Sequence, residues 1–191
     1  MTFYKFATKV VSLIYTNLFK LEINGSENIP QGKGIICSNH ISMRDPIFLG
    51  ISIDRQINFM AKRQLFKNKI LRFILTKLGA FPVNRDGADL SSIKNSLKIL
   101  KKEELLGIFP EGTRVKEENT SDVKPGIAMI AIKSKAPVIP VYIDTEYKKF
   151  KKVKVNIGKP LYFNDFYGKK LGMKEYKELS TRIMKELYNL K

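Results

Sequence analysis

The stretch GKGIICSNHISMRDPIFLGISI, Gly32 to Ile53, decides the fold. Its opening, GKGIICSN, is a short apolar run started by glycines and closed by turn formers, and it reads as a buried strand. Its close, DPIFLGISI, carries a helix-start signal, with Asp45 at the cap and Pro46 in the first turn. Between them, the one histidine of the chain and the residues ISMR must make the turn. Working outward, INFMA, AFPV, LLGIFP, PVIPVYI and KVKVNIG read as further strands. NKILRFILTKLG, stopped by Gly79, reads as a helix, as do ADLSSIKNSLKILKK, KPGIAMIAIKSK and the closing MKEYKELSTRIMKELYNLK. In the second of these, Ile93, Leu97 and Leu100 share a face. Strands alternating with helices predict one α/β domain, with a mixed, largely parallel central sheet flanked by helices. It occupies residues 25–191, and an N-terminal amphipathic helix precedes it in residues 1–24.

Counting narrows the chemistry. The 191 residues are 43% hydrophobic and 10% aromatic, the profile of an ordinary globular chain. With one cysteine, Cys37, and one histidine, His40, neither an internal disulfide nor a His/Cys zinc cluster can be built. No metal is expected. The net charge of +17 points to anionic partners: a membrane surface, nucleic acid or phosphorylated substrates. YKKFKKVKV and YFNDFYGKK interleave bases with aromatics, as a base-stacking groove does. No nucleic-acid motif stands beside them, and no nucleic-acid partner is expected.

The N-terminal segment FYKFATKVVSLIYTNLFKLEI is broken by Lys5, Lys9 and Lys20, so its uncharged run falls short of the roughly 20 residues a bilayer span needs. Phe3, Phe6, Val10, Leu13, Ile14 and Leu21 approximate helical spacing, and Tyr4, Val11, Tyr15, Leu18 and Phe19 widen the stripe. A wide apolar face with lysines near both ends suits a helix lying in the membrane interface. A helix packed on its own domain is the alternative.

His40 and Asp45 stand five apart, so a continuous helix would point them to different faces. Folded as a turn, ISMR brings them together. A carboxylate on one ring nitrogen then fixes the tautomer and leaves the other nitrogen to take a proton. Downstream, GIFPEGTR ends a strand in a loop offering Glu111, Gly112, Thr113 and Arg114. Arg114 can fork onto two phosphate oxygens, and Glu111 can accept hydrogen bonds from a polyol. GAFPVNR presents Arg85 as a second phosphate ligand. PVIPV, around Pro140, reads as core strand or as the lining of an alkyl channel. A Ser-His-Asp hydrolase would need a nucleophile elbow of the G-x-S-x-G kind, which the chain lacks.

NHISMRD, GAFPVNR, FPEGTR and PVIPV, in that order from Asn39 to Val141, resemble the four blocks of the glycerolipid acyltransferase family, close to its bacterial 1-acylglycerol-3-phosphate acyltransferases. The resemblance implies a glycerol-3-phosphate acyltransferase-like fold and the catalytic pair His40 and Asp45. It also implies acceptor binding by Arg85, Glu111, Gly112, Thr113 and Arg114, and an acyl side around Pro140. It departs at Asn84, where an acid is common, and at Val115, where serine is. The implied reaction passes an acyl chain from an acyl carrier protein or coenzyme A thioester to the free sn-2 hydroxyl of 1-acylglycerol-3-phosphate, giving phosphatidic acid. His40 is the general base, and backbone N–H groups of the turn or helix start are candidates for the oxyanion. The thioester is a co-substrate, and no cofactor is implied. Such an enzyme sits peripherally on the cytoplasmic face of the cell membrane, against anionic lipid. Rival readings are another acceptor, glycerol-3-phosphate or a different lysolipid, or a non-catalytic basic membrane binder.

Overall fold

The computed structural model describes residues 2–84, 90–115 and 123–191. Six α-helices are described: α1 (Phe3–Leu18), α2 (Asp45–Ser52), α3 (Lys69–Lys77), α4 (Leu90–Lys101), α5 (Gly126–Ser134) and α6 (Met173–Tyr188). They surround seven strands: β1 (Lys20–Asn24), β2 (Gly34–Ser38), β3 (Ile57–Lys62), β4 (Phe81–Val83), β5 (Leu105–Ile108), β6 (Val138–Asp144) and β7 (Lys152–Ile157). The strands lie in the order β1-β7-β6-β2-β5-β3-β4. Neighbours run parallel except β6 and β7. The mixed, largely parallel sheet expected from the alternating elements is the sheet that forms.

Its central strands are continuous apolar runs because both faces are covered. Successive strand residues point to opposite sides. Ile35, Leu106 and Val138 therefore enter the core under α4, α5 and α6. Their neighbours Ile36, Leu105 and Ile139 enter the other core, with Phe48, Leu49 and Ile53 of α2 and Phe19. The connections explain the division. The steps β2 to β3 and β3 to β4 run toward one edge, while β4 to β5 and β5 to β6 run back. Right-handed crossovers then put α2 and α3 on one face, and α4 and α5 on the other.

Two local expectations are corrected. The apolar spacing that continues to Leu21 is not all helix: α1 stops at Leu18, and residues Lys20–Asn24 add to the sheet edge parallel to β7. Its register is set by a strand more than a hundred residues downstream, so no local pattern announces it. Asp45 does not cap α2 from outside. It is the first helical residue, and its carboxylate reaches backward to the amides of Ile41 and Ser42.

Gly107 in β5 couples core packing to the site. A Cβ there would collide with the Phe59 ring and stand 2.8 Å from Ile57 Cγ2. Phe59 in turn stacks at 5.9 Å on Phe109, which stacks at 4.2 Å on the His40 ring. Gly107→Ala is therefore expected to cost about 1–3 kcal/mol of stability through overpacking. Denaturant unfolding measures it, and an unchanged midpoint would show that Phe59 moves aside freely.

Candidate active site

The site begins where β2 runs out. Asn39 is buried, and its side chain imitates a strand backbone. Nδ2 donates to Ile143 O at 3.0 Å, and Oδ1 accepts from Ile143 N at 2.8 Å. The ladder between β2 and β6 is extended by one side chain, and the following residue leaves the sheet at a defined point.

That residue is His40. Its Nδ1 lies 2.7 Å from Asp45 Oδ2, so the turn ISMR brings the pair into direct contact. The same carboxylate oxygen accepts from Ile41 N and Ser42 N, each at 2.8 Å. Asp45 is fully buried and its other oxygen accepts from the Tyr147 hydroxyl. A buried carboxylate is costly unless its lone pairs are filled, and here four donors fill them. Burial, then the adjacent Asp45 charge, push the Tyr147 phenol far up, which keeps it a donor. With Nδ1 engaged and one ring face on Phe109, the remaining nitrogen, Nε2, is the position from which His40 can exchange a proton.

The FPEGTR block is laid against the same histidine. Glu111 Oε2 accepts from His40 N at 2.9 Å, and Val115 N donates to His40 O at 2.8 Å. Gly112, Thr113 and Arg114 lie between these two anchors, so the loop is tied to the His40 backbone at both ends. Gly112 adopts φ +70°, a conformation open to glycine. Thr113 and Arg114 are exposed. Glu111 Oε1 accepts from Tyr188 Oη at 2.5 Å. Both Glu111 oxygens thus hold internal donors, giving the side chain a part in fixing the turn. Burial pushes its carboxyl above the ordinary range, and the donors from Tyr188 and His40 offset part of that.

Arg85 lies outside the described residues. Pro140 is buried in β6, where its carbonyl accepts from Gly158 N at 2.8 Å, and it lies beside Cys37 in the sheet register. Most of the turn and helix-start amides expected to meet an oxyanion are already committed. Ile41 N and Ser42 N bond Asp45, Asp45 N bonds Ser42 O, and Ile47 N and Phe48 N bond Arg44 O. Cys37 is fully buried with its thiol pushed up by burial, Ser38 Oγ is buried and donates to Asn39 O, and Ser42 Oγ accepts from Arg44 N. Among the described residues no three His, Cys, Asp or Glu side chains converge as metal ligands would.

Sequence reasoning found His40, Asp45 and the glutamate loop but missed Tyr147, Tyr188 and Phe109. Phe109 sat inside a quoted block without a role. The two tyrosines lie 102 and 77 residues from the carboxylates they serve, with no local signal.

Comparison with known proteins identifies the family. Residues 20–144 match the family model described as Acyltransferase. The 1-acyl-sn-glycerol-3-phosphate acyltransferase of Bacillus subtilis is 38% identical over 170 residues, covering 85% of this chain and 84% of that protein. The enzyme of the same name from Streptococcus pneumoniae is 30% identical, covering 95% of this chain and 70% of its own length. The crystal structure of the 1-acyl-sn-glycerophosphate acyltransferase PlsC from Thermotoga maritima superposes with a TM-score of 0.70 at 26% identity, covering 97% of this chain and 79% of that one.

Two outcomes are expected at the carboxylates. Tyr147→Phe leaves a buried oxygen of Asp45 short of a donor, at a cost of about 1–3 kcal/mol in denaturant unfolding. Full stability in that variant would mean that water replaces the phenol. For Glu111, the raised folded pKa means the unfolded chain releases the proton first, so ionisation opposes folding. Its contribution should fall as pH rises from the ordinary value of 4.5 through the raised one. Thermal melts of the natural chain and of Glu111→Gln should therefore diverge over that window, the natural chain losing ground. The opposite slope would show a carboxylate stabilised by its donors.

Proposed function

This chain belongs to the acyltransferase family, and we propose that it transfers an acyl chain from a thioester to the free sn-2 hydroxyl of 1-acylglycerol-3-phosphate, giving phosphatidic acid. The observation that carries the reading is the pairing of His40 Nδ1 with Asp45 Oδ2 at 2.7 Å, beside a glutamate–glycine–threonine–arginine loop tied to the His40 backbone. The acceptor is the one in the names of the Bacillus and Streptococcus relatives.

In this mechanism Nε2 of His40 takes the proton of the acceptor hydroxyl as its oxygen attacks the thioester carbon. The carbon–sulfur bond then breaks, and the proton passes to the departing thiolate. Asp45 holds the ring in the productive tautomer and stabilises the imidazolium, and Tyr147 and two amides keep that carboxylate in place. Arg114 and Arg85 bind the acceptor phosphate, so the hydroxyl is presented rather than found by diffusion. Thr113 and Gly112 shape the loop between them, and Pro140 belongs to the acyl side. The base is supplied by the chain, and acyl carrier protein or coenzyme A enters only as the thioester co-substrate.

The enzyme works at the cytoplasmic face of the membrane as a peripheral protein. No described helix is long and apolar enough to cross a membrane. α1 instead carries two apolar stripes. Tyr4, Val11, Tyr15 and Leu18 turn inward, while Phe3, Phe6, Val10, Leu13 and Ile14 remain exposed, Leu13 at 69%. The inward stripe docks the helix on α2. The outward one, with Lys5 and Lys9 beside it, suits an anionic bilayer surface.

The test is thiol release from acyl-carrier-protein and coenzyme A thioesters, with lysophosphatidate, glycerol-3-phosphate and a phosphate-free lysolipid as acceptors. Transfer to lysophosphatidate that falls about 10² to 10⁴-fold in His40→Ala is the expected result. Transfer to the phosphate-free lysolipid alone, or a His40→Ala variant as fast as the natural chain, would overturn it.

A further inference from the structure

α3 does not behave as a crossover helix should. Such a helix ordinarily buries an apolar stripe against its sheet and shows a polar face to water. α3 buries none of its residues, although five of its nine are apolar or aromatic. Leu75 and the following Leu78 are half-covered on its inner side, whereas Ile70 (73% exposed), Phe73 (60%), Leu71 and Ile74 stand in solvent. Leu65, in the turn Arg63–Phe66 that precedes it, is exposed too. The pattern is the one α1 shows, an inner apolar stripe and an outer one.

Charge decides what covers the outer stripe. From Arg55 to Arg85 there is no aspartate or glutamate, while Lys62, Arg63, Lys67, Lys69, Arg72 and Lys77 punctuate the segment. The first acidic residue of the chain is Glu22, so α1 is equally free of acids. A second copy of a chain carrying +17 would bring like charge to this patch, and an anionic lipid headgroup layer brings the opposite. Right-handed crossovers put α3 on the face of the sheet that α2 covers; α1 packs on α2, and the turn between β2 and α2 exposes Ile41 and Met43.

We propose that α3, with the turn Arg63–Phe66, is a second bilayer-contact element that seats the domain on anionic lipid together with α1. The inference deepens the membrane reading of α1 and rests on it. Two contacts set the tilt of the domain, where one helix alone would leave it free to swing. They hold the catalytic turn at the surface where an acceptor with one acyl chain resides.

The natural chain has no tryptophan, so Phe73→Trp in the full chain gives a lone reporter. With vesicles of equal parts phosphatidylglycerol and phosphatidylcholine, its emission should shift to the blue and be quenched by brominated lipid. In buffer it should do neither. A Leu13→Trp chain serves as the control for α1. If the reporter at position 13 shifts while that at position 73 does not, the protein binds through α1 alone and the proposal fails. A blue shift at position 73 that grows with protein concentration in buffer assigns the patch to a second copy and also overturns it. Independently, the paired change Ile70→Glu and Phe73→Glu should weaken vesicle binding about tenfold or more. Transfer to a short-chain, water-soluble lysophosphatidate should stay unchanged. Vesicle binding equal to that of the natural chain sinks the proposal. Absent transfer to the soluble acceptor in the natural chain counts against the reaction, while the fluorescence result still decides the contact.

Discussion

Everything at the site depends on one buried carboxylate. Asp45 is fully excluded from solvent and must have its charge met inside the protein. It gathers the His40 ring, the amides of Ile41 and Ser42 and the Tyr147 hydroxyl around itself, and that requirement is what bends ISMR into a turn. The turn cannot relax without stranding the charge. The histidine is therefore held by an electrostatic constraint that the domain must satisfy in order to fold, and the fixed orientation of its ring comes with stability.

The constraint is passed outward through aromatics. Tyr147 is wedged among Phe19 and Phe48, with ring centroids 6.5 and 5.5 Å away, and Tyr15 of α1 packs on Phe48 at 5.3 Å. Phe150 N donates to Leu18 O at 2.7 Å, so the end of α1 is tied to the loop that carries Tyr147. The N-terminal helix is thus a wall of the site as well as a surface element. On the other side, Gly107 leaves room for Phe59, Phe59 backs Phe109, and Phe109 backs the imidazole. The histidine is backed by Phe109 on one side, while the Tyr147 cluster holds its partner Asp45 on the other.

Glu111 has a part that its position in a binding motif does not suggest. One oxygen takes the His40 amide and the other takes Tyr188 from the closing helix. Helix α6 therefore reaches the His40 turn through Tyr188, and the loop holding Gly112, Thr113 and Arg114 is pinned there at both ends. Such pinning lets a glycine-containing loop present an exposed arginine in a constant place without burying it.

Much of this was legible in the primary structure. The strand–turn–helix around His40 and the closeness of Asp45 follow from local chemistry: apolar runs, a helix-start proline, and a base and an acid separated by one turn. These are features that neighbours in the chain decide between themselves. What tertiary structure alone decided are the partners that arrive from far away. β1 becomes a strand because β7 offers it an edge, and α1 therefore ends at Leu18. Tyr147 and Tyr188 acquire roles because the fold brings them to carboxylates whose unfilled lone pairs cannot stay buried. The two apolar stripes of α1 look like one wide stripe in the sequence. Only packing shows which of them the domain buries and which it leaves exposed.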